Sequence, residues 1–220
     1  MSDIKPLHLY SHASGPNPWK VAMVLEELSI PYETEMMEFG ALKQEPYVSV
    51  NPNGRVPAIK DPNTGITLWE TGAIIDYLLD YYDKENKLQY AEFPQKYHQK
   101  SWEHFQMSGQ GPYYGQLAWF MMFHPEKNIT SAIDRYANEV KRVLGVIDSH
   151  LTKTSTEYLV GDKVTYVDIM FVSWNTIVPG LLSDWDWQGT YPKCYEWNQK
   201  LLNRTAIKKV LEDKKTASGH

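Results

Sequence analysis

Residues 51–71 constrain the fold of this chain more than any other part of its sequence. They contain Val56-Pro57-Ala58-Ile59, a short apolar run with a proline near its beginning. Proline has no N–H to give to a neighbouring strand, so it belongs at the start of a strand or at a sheet edge. The bond before it can be cis, since the trans preference of an X–Pro bond is about 1 kcal/mol or less. A turn of that kind would leave the amide and carbonyl of Val56 facing outward, free to pair with an extended peptide.

Glu70-Thr71-Gly72 stands immediately before an apolar run at helical spacing, residues 73–79. The start of a helix offers free N–H groups and the positive end of its dipole to a carboxylate. The carboxylate of Glu70 could in turn pair with an ammonium group. Together with Val56 and Pro57, these residues suit a short peptide that carries an amino-acid head group.

The N-terminal region predicts a strand, a loop and a helix. Residues 7–10 have the pattern of a short strand, and the glycine and proline residues that follow prevent a helix from beginning before Asn17. Asn17 is a good N-cap, and Pro18 suits the first helical position. The helix predicted over residues 18–28 has an apolar stripe at helical spacing.

The order of elements predicts two domains of different class, α/β followed by all-α. Short strands are predicted at residues 31–37, 56–59 and 66–69, the last two joined by a hairpin turn. A β-α-β unit followed by β-β-α is the order of a small thioredoxin-like domain, which we place at residues 1–82. Residues 83–94 are predicted to be a linker, and residues 95–220 an all-helical bundle domain.

Within the helical domain, three features can be placed from the sequence. A glycine-rich stretch at residues 109–115 is expected to interrupt or kink the first helix. Residues 132–151 form a clear amphipathic pattern, and residues 195–211 predict a last helix. Thr165 and Asp168 match a capping box ahead of another apolar run.

Taken together, these segments resemble the cytosolic glutathione transferase superfamily over about residues 7–210. The match rests on residues 11–28, on Val56-Pro57 and Glu70-Thr71, and on the capping box at residues 165–168. Residues 105–116 and 132–136 are similar to one subgroup, the fungal nitrogen-regulator-like transferases and their bacterial Nu-class relatives. The resemblance implies the glutathione transferase fold, with a thioredoxin-like domain that binds glutathione and a helical domain.

The resemblance also implies a catalytic role for Asn17. The thiol of glutathione has a pKa near ~8.5, so little of it is the reactive thiolate at neutral pH. The side-chain amide or backbone N–H of Asn17, at the start of a helix, would favour the anion. Ser11 and Ser14 are competing donors. Val56 and Pro57 would align the cysteinyl backbone of the ligand.

Five further residues complete the implied glutathione site. Glu70 would pair with the γ-glutamyl ammonium, and Thr71 would hold the neighbouring carboxylate at a position where the superfamily usually has serine. Lys43 and Arg55 are cations near the expected place of the glycyl carboxylate. Arg135 matches a position that approaches the site from the partner subunit of a homodimer.

A second substrate, a hydrophobic electrophile or a disulfide, is expected between the domains. Tyr113, Tyr114 and Trp119 could wall an apolar pocket there, although aromatic side chains on helices also occur as core. No metal is expected, because His104 and His124 lack a partner at the spacing of metal ligands.

Two functions follow from the resemblance. The first is a glutathione-dependent enzyme that conjugates electrophiles, reduces disulfides or removes glutathione from proteins. The alternative is a non-catalytic glutathione-binding regulatory protein that acts through protein partners. The fungal regulator carries a long Asn-rich N-terminal extension, whereas the first strand here is predicted by Leu7, and this favours the enzyme.

Charge and composition indicate the type of partner and the cellular compartment of the protein. The net charge of −5 argues against nucleic acid as a partner, and it requires local cations to attract an anionic ligand. The single cysteine, Cys194, excludes an internal disulfide and fits a reducing compartment. Nowhere do 18 or more apolar residues occur together, so we expect no membrane segment and a cytoplasmic protein.

Overall fold

The computed structural model describes residues 4–219, which form two compact units. Within that part of the chain, the first unit contains residues 4–89 together with 203–219. The second unit contains residues 90–202.

The first unit is built on a four-stranded sheet with the strand order β2-β1-β3-β4. Its strands are β1 (Leu7–Ser11), β2 (Tyr32–Met36), β3 (Ala58–Lys60) and β4 (Thr67–Trp69). Strand β1 runs parallel to β2 and antiparallel to β3, and β3 is antiparallel to β4. The parallel pair is joined by helix α1 (Pro16–Glu27), because parallel strands need a crossover connection. Helix α2 (Thr71–Tyr82) follows β4, so the predicted thioredoxin-like order is confirmed.

Alternation along β1 gives the first unit two apolar layers. Leu7 and Leu9 are buried on one face of the strand, and the apolar stripes of α1 and α2 are buried as well. On the other face, Tyr10 belongs to a second cluster with Leu42, Tyr47 and Ala58. The sheet is therefore covered on both faces, and loops and helix termini are left at the ends of its strands.

The C-terminal helix belongs to the first unit, which differs from the predicted domain boundaries of 1–82, 83–94 and 95–220. Helix α10 (Thr205–Ala217) packs on α1, with Ile207 and Val210 fully buried. Just before it, Arg204 forms an ion pair with Glu27 of α1. The amphipathic pattern identified this helix but carried no information about which domain it would cover.

The second unit is helical throughout its regular structure. Its helices are α3 (Gln95–Phe105), α4 (Gly111–Ala118), α5 (Thr130–Thr154), α6 (Tyr166–Asn175), α7 (Val178–Leu181), α8 (Trp187–Thr190) and α9 (Pro192–Leu202). The single last helix predicted over residues 195–211 is wrong, since α9 and α10 are separate helices. The predicted interruption at residues 109–115 begins in the π-helical turn Gln106–Gln110, but its residues 111–115 belong to α4, and a second π-helical turn, Trp119–Phe123, follows α4. A wider π turn accommodates a residue such as Pro112 without ending the helix.

The predicted capping box at the start of α6 is confirmed. The backbone N–H and the hydroxyl of Thr165 each donate to Asp168 Oδ2 at 2.9 Å. The other carboxylate oxygen of Asp168 accepts from the Leu159 N–H and from Trp197 Nε1, both at 2.9 Å. Burial raises the pKa of Asp168, although these four donors oppose the shift. The carboxylate thus ties three segments of the helical unit together.

No helix within residues 4–219 is both long enough and apolar enough to cross a membrane.

Candidate functional site

The register of the sheet brings three of the predicted site segments to one end of the first unit. Tyr10 of β1 pairs with Ala58 of β3, and Ala58 pairs with Trp69 of β4. Because β3 is antiparallel to both neighbours, the end of β1, the start of β3 and the end of β4 lie side by side. The loop to Asn17, the Val56–Pro57 turn, and Glu70 with Thr71 all continue from that end.

Helix α1 begins earlier than predicted. Its N-cap is Gly15 and its first residue is Pro16, so Asn17 is the second helical residue rather than the cap. Pro16 suits the first position as well as Pro18 would, since neither has an N–H to leave unpaired. Of the first three helical residues, Asn17 alone has a backbone N–H. No acidic residue stands in this turn to neutralise the positive end of the helix dipole.

The loop between β1 and α1 is fixed by side chains of its own surroundings. The buried indole of Trp19 donates to the carbonyl oxygens of His12 and Ala13, at 3.2 and 3.1 Å. His12 Nδ1 accepts from the backbone N–H of Ser14 at 3.2 Å and lies 3.1 Å from its hydroxyl oxygen. The His12 ring also packs on Phe39, with 3.9 Å between centroids. These contacts within the protein fix the conformation of the loop.

The two serines that compete with Asn17 have different environments. Ser14 is exposed, and its hydroxyl already contacts His12. Ser11 is 1 % exposed, and its hydroxyl has no hydrogen-bond partner among the described residues. Asn17 is half-buried and lies at the start of the helix.

The Val56–Pro57 bond is cis, as the sequence allowed. Pro57 is buried and Val56 is half-buried. Within residues 4–219, no backbone or side-chain group forms a hydrogen bond with the amide or carbonyl of Val56. Pairing of β3 with β1 begins only at Ala58. The backbone of Val56 is thus in the state that pairing with an extended peptide requires.

The turn before Val56 is rigid because two side chains bind the same carbonyl oxygen. The hydroxyl of Tyr47 and the side-chain amide of Asn51 both donate to the oxygen of Arg55, at 2.7 and 2.6 Å. Gly54 has a φ of +58°, and a Cβ there would lie 2.6 Å from the Leu42 carbonyl oxygen. A glycine is required at that position on both counts.

The two predicted cations of this region, Lys43 and Arg55, are both exposed, and the side chain of Lys43 is held by a hydrogen bond. Lys43 Nζ donates to the carbonyl oxygen of Asn53 at 2.8 Å, which places its charge on the turn before Val56. The side chain of Arg55 is exposed, while its carbonyl is held by the bonds described above. Both positive charges lie on one loop of the first unit.

Glu70 adopts a backbone conformation that few residues other than glycine adopt. Its φ is 72° and its ψ is 125°, directly before α2. A non-glycine residue in such a region costs on the order of 1–3 kcal/mol, and such strain is concentrated at functional sites. Glu70 is exposed, Thr71 is buried, and the Glu70 carbonyl accepts the Ile74 N–H at 3.0 Å.

Lys20 is a residue of this region that the sequence analysis missed. Its side chain is 1 % exposed, and its Nζ lies 3.5 Å from Thr71 Oγ1. Burial lowers the pKa of Lys20 to about 7, and the negative charge of Glu70 opposes that shift. The sequence contains an indication of its importance, because Lys20 is the one charged residue in the apolar run of residues 18–25. Lysine is almost never fully buried without a specific interaction.

The predicted residues of the second unit have unequal exposure. Trp119 is 48 % exposed, Arg135 is exposed, and Tyr113 is half-buried with its ring 6.3 Å from that of Tyr136. Tyr114 is fully buried, so it packs as core and cannot wall an open pocket without movement of the helices. Tyr113 and Trp119 remain the predicted wall of the pocket.

Cys194 is buried in the second unit, and burial raises the pKa of its thiol. It is therefore protonated at neutral pH and is not an accessible nucleophile. No group of three or more potential metal ligands occurs among the described residues.

Comparison with known families matches both parts of the chain. The family model of the glutathione S-transferase N-terminal domain matches residues 5–80. That of the glutathione S-transferase C-terminal domain matches residues 112–205.

Two fungal proteins illustrate the range of relatives. A glutathione S-transferase-like protein of Beauveria bassiana is 45 % identical, over 97 % of this chain and 98 % of the relative. The transcriptional regulator URE2 of Saccharomyces cerevisiae is 36 % identical, over 92 % of this chain and 67 % of the regulator.

Two solved structures from Phanerochaete chrysosporium match almost the whole chain. The glutathione transferase URE2P6, in complex with oxidized glutathione, has a TM-score of 0.92 and 48 % identity over 99 % of this chain and 100 % of its own. Ure2p5, cocrystallized with 1-(S-glutathionyl)-2,4-dinitrobenzene, has a TM-score of 0.89 and 38 % identity over 100 % of this chain and 99 % of its own.

Proposed function

The chain belongs to the glutathione S-transferase family, and from that premise we propose that it binds glutathione and activates its thiol as a thiolate. The enzyme then uses the thiolate on a hydrophobic electrophile, a disulfide or a glutathionylated protein. Asn17 is the proposed catalytic residue. Val56, Pro57, Glu70 and Thr71 bind the peptide.

The register of the sheet is the observation that carries this proposal. It places the start of α1, the Val56–Pro57 turn and Glu70 at the same end of one sheet. Glutathione needs a group that stabilises its thiolate, an extended backbone that pairs with its cysteinyl residue and a charged partner for its γ-glutamyl head group. The three segments offer these in turn, and the unpaired backbone of Val56 supports the central contact.

Conjugation requires only the activated sulfur. The thiolate attacks a carbon that carries a leaving group, the C–S bond forms, and the leaving group departs with the electron pair of its own bond. The thiol proton goes to solvent. A hydrogen bond from Asn17 and the dipole of α1 stabilise the anion before the attack. The relative with a bound glutathionyl-dinitrobenzene supports an aryl electrophile as a substrate class.

Disulfide reduction uses the same thiolate. Attack on the glutathionyl sulfur of a mixed disulfide forms oxidised glutathione and releases the other sulfur as a thiolate, which takes up a proton. No protein cysteine takes part, because Cys194 is buried with a raised pKa. The relative that binds oxidized glutathione supports this second reaction.

The proposed assembly is a cytoplasmic homodimer, with Arg135 of one protomer close to the glutathione of its partner. Lys43 and Arg55 supply the positive charge for the glycyl carboxylate. Tyr113 and Trp119 contact the second substrate. Size-exclusion chromatography with light scattering tests the dimer directly.

The decisive experiment combines a binding and a turnover measurement on the purified protein. Isothermal titration with glutathione is followed by assays with 1-chloro-2,4-dinitrobenzene and with a small mixed disulfide. We expect saturable binding and glutathione-dependent turnover in at least one assay. Absence of glutathione binding contradicts the proposal as a whole.

The alternative is a glutathione-binding regulatory protein that acts through protein partners. The 36 % identity to the transcriptional regulator URE2 supports this alternative. Binding of glutathione without turnover of either substrate class would support it over the enzyme.

A further inference from the structure

Lys20 is a buried lysine that the proposed reaction does not use. It lies on α1, and its Nζ is 3.5 Å from the hydroxyl oxygen of Thr71, the first residue of α2. The two residues are 51 positions apart, and their contact joins the beginnings of two helices. The side chain is 1 % exposed, and its neighbours Trp19 and Val21 are also buried.

A buried ammonium is a costly choice at such a position. Transfer of a charged group out of water costs several kcal/mol, even after relaxation, unless other groups compensate for it. A methionine would fill the same space with a side chain of similar length and no such cost. A buried lysine is therefore selected for what its charge does to the groups close to it.

The surroundings of Lys20 indicate where that charge acts. Thr71, whose hydroxyl oxygen accepts a hydrogen bond from Lys20, is the proposed ligand of the head-group carboxylate. Glu70, the proposed partner of the head-group ammonium, favours the charged form of Lys20 through its own negative charge. The amino-acid head of glutathione carries one positive and one negative group. Glu70 and Lys20 are the complementary pair of opposite sign.

We propose that Lys20 is a positioning residue for the γ-glutamyl head group, which it holds by orienting the Thr71 hydroxyl and by supplying positive charge beneath the head-group carboxylate. This inference rests on the proposed function, since it specifies how the same site recognises glutathione. On this proposal, Lys20 acts on the α-carboxylate of the ligand.

The alternative is a purely structural clamp between α1 and α2. A clamp stabilises the fold whatever ligand is present, whereas a positioning residue discriminates between ligands. The test therefore needs a second ligand that lacks only the carboxylate. In 4-aminobutanoyl-cysteinylglycine, a hydrogen replaces the α-carboxylate of the γ-glutamyl residue and the ammonium is kept.

Isothermal titration with both peptides is performed on the wild type, Lys20→Met and Lys84→Met. Lys84 is an exposed lysine of the same unit and provides the control. We expect Lys20→Met to raise the Kd of glutathione about 10-fold or more and to leave the Kd of the decarboxylated peptide unchanged. Lys84→Met should change neither. Equal losses for the two peptides, or no loss for either, would overturn the proposal.

Steady-state kinetics provides a second readout that a clamp would not produce. If Lys20 acts on ground-state recognition of the head group, Lys20→Met should raise the KM for glutathione about 10-fold with kcat within about twofold. Lys20→Arg, which keeps the charge, should restore most of the affinity. A fall in kcat at constant KM argues against head-group positioning.

A measurement on the wild type covers the case in which these variants do not fold. In protein labelled with 15N-lysine, the Nζ resonance of Lys20 should shift on saturation with glutathione and remain in place with the decarboxylated peptide. A resonance that glutathione does not move refutes the role of Lys20. Wild-type protein that binds no glutathione refutes the proposed function instead, so the two failures are distinguishable.

Discussion

Arg204 and Glu27 form a bidentate ion pair that joins the last helix to the first. Arg204 Nε lies 2.5 Å from Glu27 Oε1, and its Nη2 lies 2.8 Å from Oε2, across 177 residues of sequence. The Glu27 side chain is 5 % exposed and the Arg204 side chain 29 % exposed. This geometry is the strong form of a charge-assisted hydrogen bond.

Arg204→Ala should destabilise the first unit, because it leaves the Glu27 carboxylate buried without its partner. Loss of one member of a fully buried pair costs about 3–5 kcal/mol, and partial exposure of Arg204 reduces this to about 2 kcal/mol. Urea unfolding followed by circular dichroism measures the change. Lys200→Ala, which breaks an exposed pair with Glu157, should cost less than about 0.5 kcal/mol. Similar losses in the two variants would show that the Glu27 pair contributes no more than an exposed pair.

Asn17→Ala should lower kcat/KM with glutathione and an aryl halide about 10-fold or more, if the side-chain contact contributes over about 1.4 kcal/mol to the transition state. Ser14→Ala is the matched control, since Ser14 lies on the same loop with its hydroxyl engaged by His12. We expect a change within about twofold for that variant. A normal rate for Asn17→Ala together with an inactive Ser14→Ala would transfer the role to the serine.

The strained backbone of Glu70 predicts that replacing it by glycine stabilises the fold relative to alanine but does not restore glutathione binding. Both Glu70→Gly and Glu70→Ala remove the carboxylate, so both should weaken glutathione binding about 10-fold or more. Only glycine relieves the strain at φ 72°. Glu70→Gly should therefore be about 1 kcal/mol more stable than Glu70→Ala, as measured by thermal or urea unfolding. Equal stability of the two variants would mean that the conformation carries no strain.

The lowered pKa of Lys20 predicts a pH-dependent stability of definite sign. The pKa is about 7 in the folded protein and near its ordinary value of 10.5 in the unfolded chain. Between these values the unfolded state binds more protons, so the free energy of unfolding should rise with pH. Below pH 7 both states are protonated, and this contribution is absent.

Comparison of the wild type with Lys20→Met isolates the effect from all other titrating groups. Between pH 7 and pH 9 the wild type should gain about 2 kcal/mol of stability relative to the variant, at 1.36 kcal/mol per pKa unit. Urea titrations at pH 6, 7, 8 and 9 measure the difference. Parallel pH profiles for the two proteins would show that the pKa of Lys20 is not lowered.

Much of the candidate site was accessible from local sequence. A proline ahead of an apolar run placed the Val56–Pro57 turn, and Glu70-Thr71 before the helical pattern of residues 73–79 marked the start of α2, which begins at Thr71. The capping box of Thr165 and Asp168 is likewise a contact between near neighbours. In each case the residues that define the feature are adjacent or one helical turn apart, so the feature can be recognised from a short stretch of sequence.

The start of the first helix was predicted two residues too late, because two starting positions are nearly equal in local preference. The first helix could begin at Pro16 or at Pro18, because proline fits the first position in both cases and Gly15 and Asn17 are both acceptable caps. The structure has Gly15 and Pro16. Local preference alone does not distinguish between the two.

The sequence by itself determined most of the strands and helices, which faces are apolar and which family the chain resembles. Only the tertiary structure decided that α10 packs on α1, that Lys20 meets Thr71 and that three segments share one end of the sheet. The reason is that hydrophobic burial is not directional. An apolar stripe requires a partner, but the choice among partners is settled only when all elements, their charges and their hydrogen bonds are satisfied together.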